Sequence, residues 1–248
     1  MAELIMTEEG STPSTPGANK WKIYPKSDGF HIIDDAGLEI GPFISINGWI
    51  PVYETWTRTG NHTFTVSGDL TTTYRKGAKI RYKDGGAYEY GVVGASSYSS
   101  PNTTVTLITN TDYAMAATTI TDRYISYIVL PEGWQDIFNY TPAVASSGGS
   151  ITTYNIIGAK WKTIGKQIKM DVDFKISNNG TGSGQIQVDT PITVATASTG
   201  PGREYAIGGK MLQVVCDGTQ TFAKIFNYDG SYPGGTNYQL VFNVMFGF

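Results

Sequence analysis

Lys166-Gln167-Ile168-Lys169-Met170-Asp171-Val172-Asp173-Phe174-Lys175-Ile176 alternates polar and apolar side chains over its whole length. Successive side chains of a strand point to opposite faces, so Ile168, Met170, Val172, Phe174 and Ile176 share one face. Lys169, Asp171, Asp173 and Lys175 share the other. Five large apolar groups on one face need a second layer over them, which predicts an antiparallel sheet packed against another sheet. Downstream, the Gly- and Asn-rich turn 178–184 leads into Gln185-Ile186-Gln187-Val188, and residues 203–207, 211–216, 221–226 and 237–246 supply further strands. Seven or eight antiparallel strands within residues 151–248 suit a β-sandwich, with jelly-roll wiring the expectation.

The last of these runs, Asn237-Tyr238-Gln239-Leu240-Val241-Phe242-Asn243-Val244-Met245-Phe246-Gly247-Phe248, is apolar on both sides. Tyr238, Leu240, Phe242, Val244 and Phe246 are in one register. Val241, Met245 and Phe248 are read as apolar surface on the other side, and they are the candidate oligomer-interface residues. The domain's second sheet covers one side, and neighbouring subunits around a three-fold axis are expected to cover the other. A run of this kind is expected to be tied into a sheet or an interface rather than left in water.

Towards the N-terminus the organisation changes. Residues 141–150, Thr141-Pro142-Ala143-Val144-Ala145-Ser146-Ser147-Gly148-Gly149-Ser150, are small and polar and read as a linker crossed by few contacts. Residues 50–140 hold about five short strands, including 63–66, 78–82, 87–93, 103–107 and 120–129, and suit a small β-barrel or sandwich. Residues 21–49 form a small β-meander, with Trp21-Lys22-Ile23-Tyr24, Gly29-Phe30-His31-Ile32-Ile33 and Leu38-Glu39-Ile40 separated by turn residues. Residues 1–20 contain Pro13, Pro16 and several Ser and Thr side chains, and cannot form a core. They read as an extended arm or linker that begins with an apolar patch, Leu4-Ile5-Met6.

Composition agrees with an all-β protein. The chain has 5 Trp, 16 Tyr and 10 Phe against 16% charged residues, with 30 Gly to punctuate short strands. The net charge is -3, and neither half carries the basic field that a phosphate backbone demands, so no nucleic-acid partner is expected. Cys216 is the single cysteine, so no intrachain disulfide forms, and its apolar strand context predicts a buried, inert thiol. No apolar stretch reaches bilayer-spanning length, and the acidic start Met1-Ala2-Glu3-Leu4-Ile5-Met6-Thr7-Glu8-Glu9 is unlike a signal peptide. Production and assembly in a cytoplasm, without membrane insertion, are expected.

Several stretches resemble structural proteins of tailed bacteriophages and prophages, in the fibre, tail-tip and head-decoration group. They are Lys26-Ser27-Asp28-Gly29, Pro101-Asn102-Thr103-Thr104-Val105-Thr106-Leu107, Asp112-Tyr113 and Trp134-Gln135-Asp136-Ile137-Phe138. The similarity covers roughly residues 20–140, and residues 151–248 look like the jelly-roll heads that end many such fibres. The resemblance implies a homotrimeric, non-enzymatic virion component, assembled in the host cytoplasm. Its N-terminal part would dock onto other head or tail proteins, residues 1–20 being the docking arm and Leu4, Ile5 and Met6 the docking residues that order on the particle, and its C-terminal head would face outward. It carries no sugar-contacting residue over to this chain.

Catalytic and metal chemistry find little support. His31 and His62 are the two histidines and lie far from Cys216 in sequence, so no zinc site and no cofactor are expected. Asp171 and Asp173 share a strand face at a spacing suggestive of glycosidase carboxylates, yet Lys169 and Lys175 continue the row as a balanced solvent face. Asp34, Asp35 and Asp84 are turn residues. Gly180-Thr181-Gly182-Ser183-Gly184 lacks the lysine and helix of a phosphate loop. The candidate ligand site is the loop Phe226-Asn227-Tyr228-Asp229-Gly230-Ser231-Tyr232. There Tyr228 and Tyr232 would stack on a sugar of the host surface while Asn227 and Asp229 accept its hydroxyl protons, unless a neighbouring subunit covers the same rings. The alternative function is therefore a receptor-binding protein with a carbohydrate-binding head, and a glycan hydrolase stands behind it.

Overall fold

The computed structural model describes residues 11–26, 29–40, 47–110, 113–115 and 120–248. The expected docking residues Leu4, Ile5 and Met6, and the Ser27-Asp28 and Asp112 positions of the phage-like stretches, lie outside the described residues. The protein is all-β, and its described strands pair antiparallel in three sheets.

The first sheet is a meander of β1 (Lys22–Lys26), β2 (Gly29–Ile33) and β3 (Glu39–Ile40), as the alternating runs predict. The second contains β4 (Ile50–Pro51), β5 (Thr57–Gly60), β6 (Thr63–Ser67), β7 (Lys79–Asp84), β8 (Ala87–Ser99), β9 (Asn102–Thr109) and β10 (Ile120–Ser126). Its order is β4-β10-β7-β8-β9-β6-β5. The β7–β8 hairpin closes at Asp84 and Ala87 around Gly85 and Gly86, whose φ values of 67° and 118° suit glycine. The sheet curls around Trp56, Phe64, Tyr74, Ile80, Tyr82 and Val93. Trp56 stacks on Phe64 at 3.9 Å and donates its indole N–H to the Tyr74 hydroxyl at 2.9 Å.

The third sheet has β11 (Phe138–Asn139), β12 (Val144–Gly148), β13 (Thr153–Ile164), β14 (Gln167–Asn178), β15 (Ser183–Asp189), β16 (Ser198–Glu204), β17 (Met211–Cys216), β18 (Phe222–Asn227) and β19 (Gln239–Gly247). The alternation in residues 166–176 is borne out, since Ile168, Met170, Val172, Phe174 and Ile176 are all buried. The jelly-roll wiring is not. A jelly roll divides its strands between two sheets. Here nine strands hydrogen-bond in one order, β11-β13-β14-β19-β16-β17-β18-β15-β12, and the strip curls so that its halves meet over one core.

Four further expectations are corrected. Residues 141–150, read as a linker, contain β12, which pairs with β15; small polar residues suit an edge strand as well as a loop. Residues 138–139, assigned to the middle unit, pair with β13. The strand expected to run from 120 to 129 ends at Ser126, and Tyr127-Ile128-Val129-Leu130 leaves the sheet before Pro131. The strand expected at 203–207 is instead Ser198–Glu204, ended by a tight turn.

The second and third sheets keep separate cores and are joined where side chains of the second pack into the core of the third. Strand β8 is buried without a break over Gly91–Gly94, because Val93 faces the core of its own sheet while Val92 faces that of the nine-stranded sheet. Ile108 of β9 joins Val92 there. An aromatic series runs across the junction: Trp49 to Tyr90 (6.1 Å), Tyr90 to Trp134 (6.0 Å), Trp134 to Phe138 (5.2 Å) and Phe138 stacked on Trp161 (4.5 Å). Gly94 leaves room for this contact, since a Cβ there would stand 2.6 Å from Ile192 Cδ1.

Candidate functional site

Where the two curled sheets meet, they leave a cleft of about 620 Å³. It is built from the start of β7, the segment after β10 and the β13–β14 hairpin. Five cationic side chains line it: Arg75, Lys76, Lys79, Lys162 and Lys166. One acid, Asp136, faces them and lies 3.7 Å from Lys162. Lys79 donates to the Ile128 carbonyl at 2.9 Å and sits over the Trp134 ring, and its burial pulls the ammonium pKa down. Arg75 lies 4.2 Å over the Tyr127 ring, and Lys76 is 5.4 Å from that of Phe248. Arg75, Lys76 and Lys166 have no carboxylate partner among the described residues.

The same cleft has an apolar wall. Tyr127, Ile128, Val129 and Leu130 leave β10 as a bent segment, held by the bond from the Tyr127 hydroxyl to the Thr73 carbonyl at 2.9 Å. Val129 is 81% exposed and Leu130 64%. Across from them, Ile164 is also exposed. A groove whose walls mix cations with uncovered aliphatic groups, with Arg75 and Lys79 beside Tyr127 and Ile128, and Lys162 and Lys166 beside Ile164, suits a segment that is both acidic and apolar.

The expected ligand loop is divided by the structure. Asn227 is buried and clamps the loop, its amide donating to Ser231 Oγ and the Tyr232 carbonyl, both at 2.9 Å. Asp229 accepts from the Ser231 backbone N–H at 2.9 Å and from its hydroxyl, which hold its carboxyl below the usual range. Tyr232 is half-buried and donates to Asn179 Oδ1 at 2.7 Å, latching the loop to the β14–β15 turn. Only Tyr228, 84% exposed, stands free as a platform. It borders a shallow depression with Pro201, Met211 and Gln213.

The expected interface residues are divided too. Val241 is half-buried and Met245 exposed on the outer face of β19. Phe248 is 5% exposed within its own chain, packed into the core of the nine-stranded sheet. Phe248 has the parity of Phe246, so it belongs to the core-facing register and not to the other side.

The remaining ionisable groups have local explanations. Asp171 lies 3.4 Å from Lys169, and Asp173 accepts from Gln239 at 2.8 Å, a solvent-facing polar row. Cys216 is fully buried, and burial pushes its thiol up to about 12, as an inert core cysteine requires. Asp34 accepts from the backbone N–H groups of Ala36 and Leu38 and shapes its turn. Glu204, unremarked in the sequence, is 1% exposed. Burial drives its carboxyl up, but the backbone N–H groups of Ile207, Gly208, Gly209 and Ala206 donate to it and outweigh that cost, so its pKa is lowered. Its oxygens are occupied in holding the turn after β16. No group of three or more His, Cys, Asp or Glu side chains with metal-binding geometry occurs among the described residues, and no helix there is long and apolar enough to cross a membrane.

No protein-family model, curated protein or solved structure matches this chain.

Proposed function

We propose that the chain is a structural component of a bacteriophage particle, a trimeric fibre or decoration protein exposed on the particle, which works by assembly and not by catalysis. One observation carries this reading: a frame of two sheets, each with its own core and joined through Val92 and Ile108, with clustered apolar side chains left outside it at Val129, Leu130, Met211 and Met245. Such clusters mark contact surfaces on a fold that does not need them for its own core. The phage-like stretches of the sequence supply the particle. The nine-stranded sheet is then the outward head, residues 1–20 the docking arm, and other head or tail proteins the partners. The three-fold contact is placed on the outer face around Met211, Val241 and Met245; Phe248 has no part in it.

The alternative, a receptor-binding protein with a carbohydrate-binding head, is favoured by Tyr228, an exposed ring beside the polar Gln213 and the backbone of β16. Immunoelectron microscopy of particles with an antibody against residues 150–248, together with sedimentation of the full chain, tests both. Labelled particles and a mass three times the monomer are the expected results. Retention on host polysaccharide without cleavage would favour the alternative, and release of reducing ends would overturn the non-enzymatic reading.

A further inference from the structure

We propose that the basic and apolar cleft between the two curled sheets receives residues 3–9 of a neighbouring copy of this chain. The inference deepens the assembly reading and names the contact it would use. The cleft offers three cations without carboxylate partners among the described residues, Arg75, Lys76 and Lys166, beside the uncovered Ile128, Val129 and Leu130. The segment offers the matching chemistry in one short stretch: Glu3, Glu8 and Glu9 flank Leu4, Ile5 and Met6. In an extended segment Glu3, Ile5 and Glu9 share one face and Leu4, Met6 and Glu8 the other, so each face brings carboxylate and aliphatic groups to a groove whose walls both carry cations and apolar side chains. Seven residues in extended form reach about 23 Å, enough to lie along a groove between two sheets.

A neighbouring copy is the source that the contacts of the next residues favour. Thr12 donates to Glu39 at 2.6 Å, Ser14 accepts from Lys22 at 3.0 Å, and the Asn19 N–H donates to Asp35 at 2.6 Å. The chain following the segment is thus anchored to the three-stranded sheet and not to the sheets that form the cleft. A segment given by one copy and received by the next makes a head-to-tail contact, which closes into a ring when the rotation allows. Desolvated ion pairs at such a contact fix register, and the aliphatic trio supplies burial.

The test uses a fluorescein-labelled peptide of residues 1–10, the full chain, and a variant lacking those residues, which keeps every described element. The peptide is expected to bind the shortened variant by fluorescence anisotropy. Its affinity should fall at least about tenfold when Lys76→Glu and Lys166→Glu are introduced, and should weaken with added salt. In sedimentation equilibrium the full chain should self-associate with rising concentration, and the shortened chain should not. Mixing the Lys76→Glu/Lys166→Glu chain with a chain carrying Glu3→Lys, Glu8→Lys and Glu9→Lys should restore association that each lacks alone, an outcome that general destabilisation does not produce. Equal binding of the peptide to the charge-reversed cleft, or no binding to the shortened chain, overturns the inference. A full chain that stays monomeric while excluding the peptide shows the cleft filled from its own chain and overturns the neighbouring-copy source. If the shortened chain still associates, the cleft contact fails while assembly through the outer face of β16, β17 and β19 stands.

Discussion

The three-stranded sheet and the pair of curled sheets are stabilised by different physics. Around the first, Tyr24, Ile33 and His31 are buried among the described side chains, and its contacts centre on one carboxylate. Glu39 accepts from Lys26 at 2.5 Å and from Thr12 at 2.6 Å, and lies 2.7 Å from His31 Nδ1. The two larger sheets bury two apolar cores, joined by Val92 and Ile108 of one sheet packing into the core of the other and by a series of rings crossing the junction. Apolar burial is non-directional and insensitive to pH, whereas a charged network depends on protonation. The protein therefore joins a robust body to a conditional module.

The largest effect is expected at the junction of the body. Trp161 is buried, stacks on Phe138 and belongs to β13, while Phe138 meets Trp134 from the segment after β10. Trp161→Ala leaves a cavity at the end of this series and should cost about 3–5 kcal/mol. Chemical denaturation should show a large fall in midpoint. If the two sheets are one cooperative unit, both will be lost in one transition. Two separated transitions, with the β5–β9 amides still protected from exchange, would break the claim that the junction couples their cores.

Next in size is Glu204. Its carboxylate oxygens accept from four successive backbone N–H groups in the turn after β16. Glu204→Ala leaves these donors unpaired and should cost about 2–3 kcal/mol. Glu204→Gln keeps the shape but loses the charge-assisted bonds, and should fall between the two. An alanine variant as stable as the parent would mean that water replaces the carboxylate, and the turn would belong with the polar, conditional features.

A smaller cost is expected where β16 crosses β19. A Cβ on Gly202 would lie 2.8 Å from both Phe242 Cβ and the Val241 carbonyl. These are firmly placed atoms of a central strand, so Gly202→Ala must displace β19 and should cost about 1–3 kcal/mol. The unfolding midpoint measures it, and an unchanged midpoint would show more slack in the sheet than the packing implies.

The contrast also separates what the sequence made legible from what it did not. The face Ile168–Ile176, the meander of residues 22–40 and the inert Cys216 follow from local pattern, because strand alternation and turn chemistry act over a few residues. The cleft was out of reach, since its cations come from residues 75–79 and 162–166 and its apolar wall from 127–130. Charge counts by halves of the chain average such a site away. One signal was present: Gly91-Val92-Val93-Gly94 does not alternate, and strands covered on both faces read as unbroken apolar runs. That run, with Leu107-Ile108 beside it, announces a second layer over the middle sheet and so a junction at which a cleft can form. The loop around Tyr228 failed as a whole for a related reason. Asn227, Asp229 and Tyr232 are short-range or latch contacts, and a list of sugar-compatible residue types cannot tell a free hydroxyl from one already bonded to Asn179.

The last prediction turns on acid. Lys26 and Thr12 donate to Glu39 and hold its carboxyl at about 2 against the opposing effect of burial, whereas an unfolded glutamate titrates near 4.3. A carboxyl whose folded pKa is depressed contributes stability that is complete above the unfolded value and is lost as pH falls through the folded one. The contribution of Glu39 is therefore full above about pH 4.3 and gone near pH 2. Glu204 has the same sign, but the body around it rests on apolar burial. Acidification from pH 6 to pH 2, followed by two-dimensional amide NMR, should collapse the cross-peaks of Tyr24, Ile32 and Ile33 before those of Val172, Val214 and Val244. Glu39→Gln removes the charge at every pH, so the same early loss of order should already be visible at pH 6 and should change little with acid. Simultaneous loss of both sets in the parent chain would show that the small sheet borrows its stability from the body, and the contrast between a conditional module and a robust frame would fall.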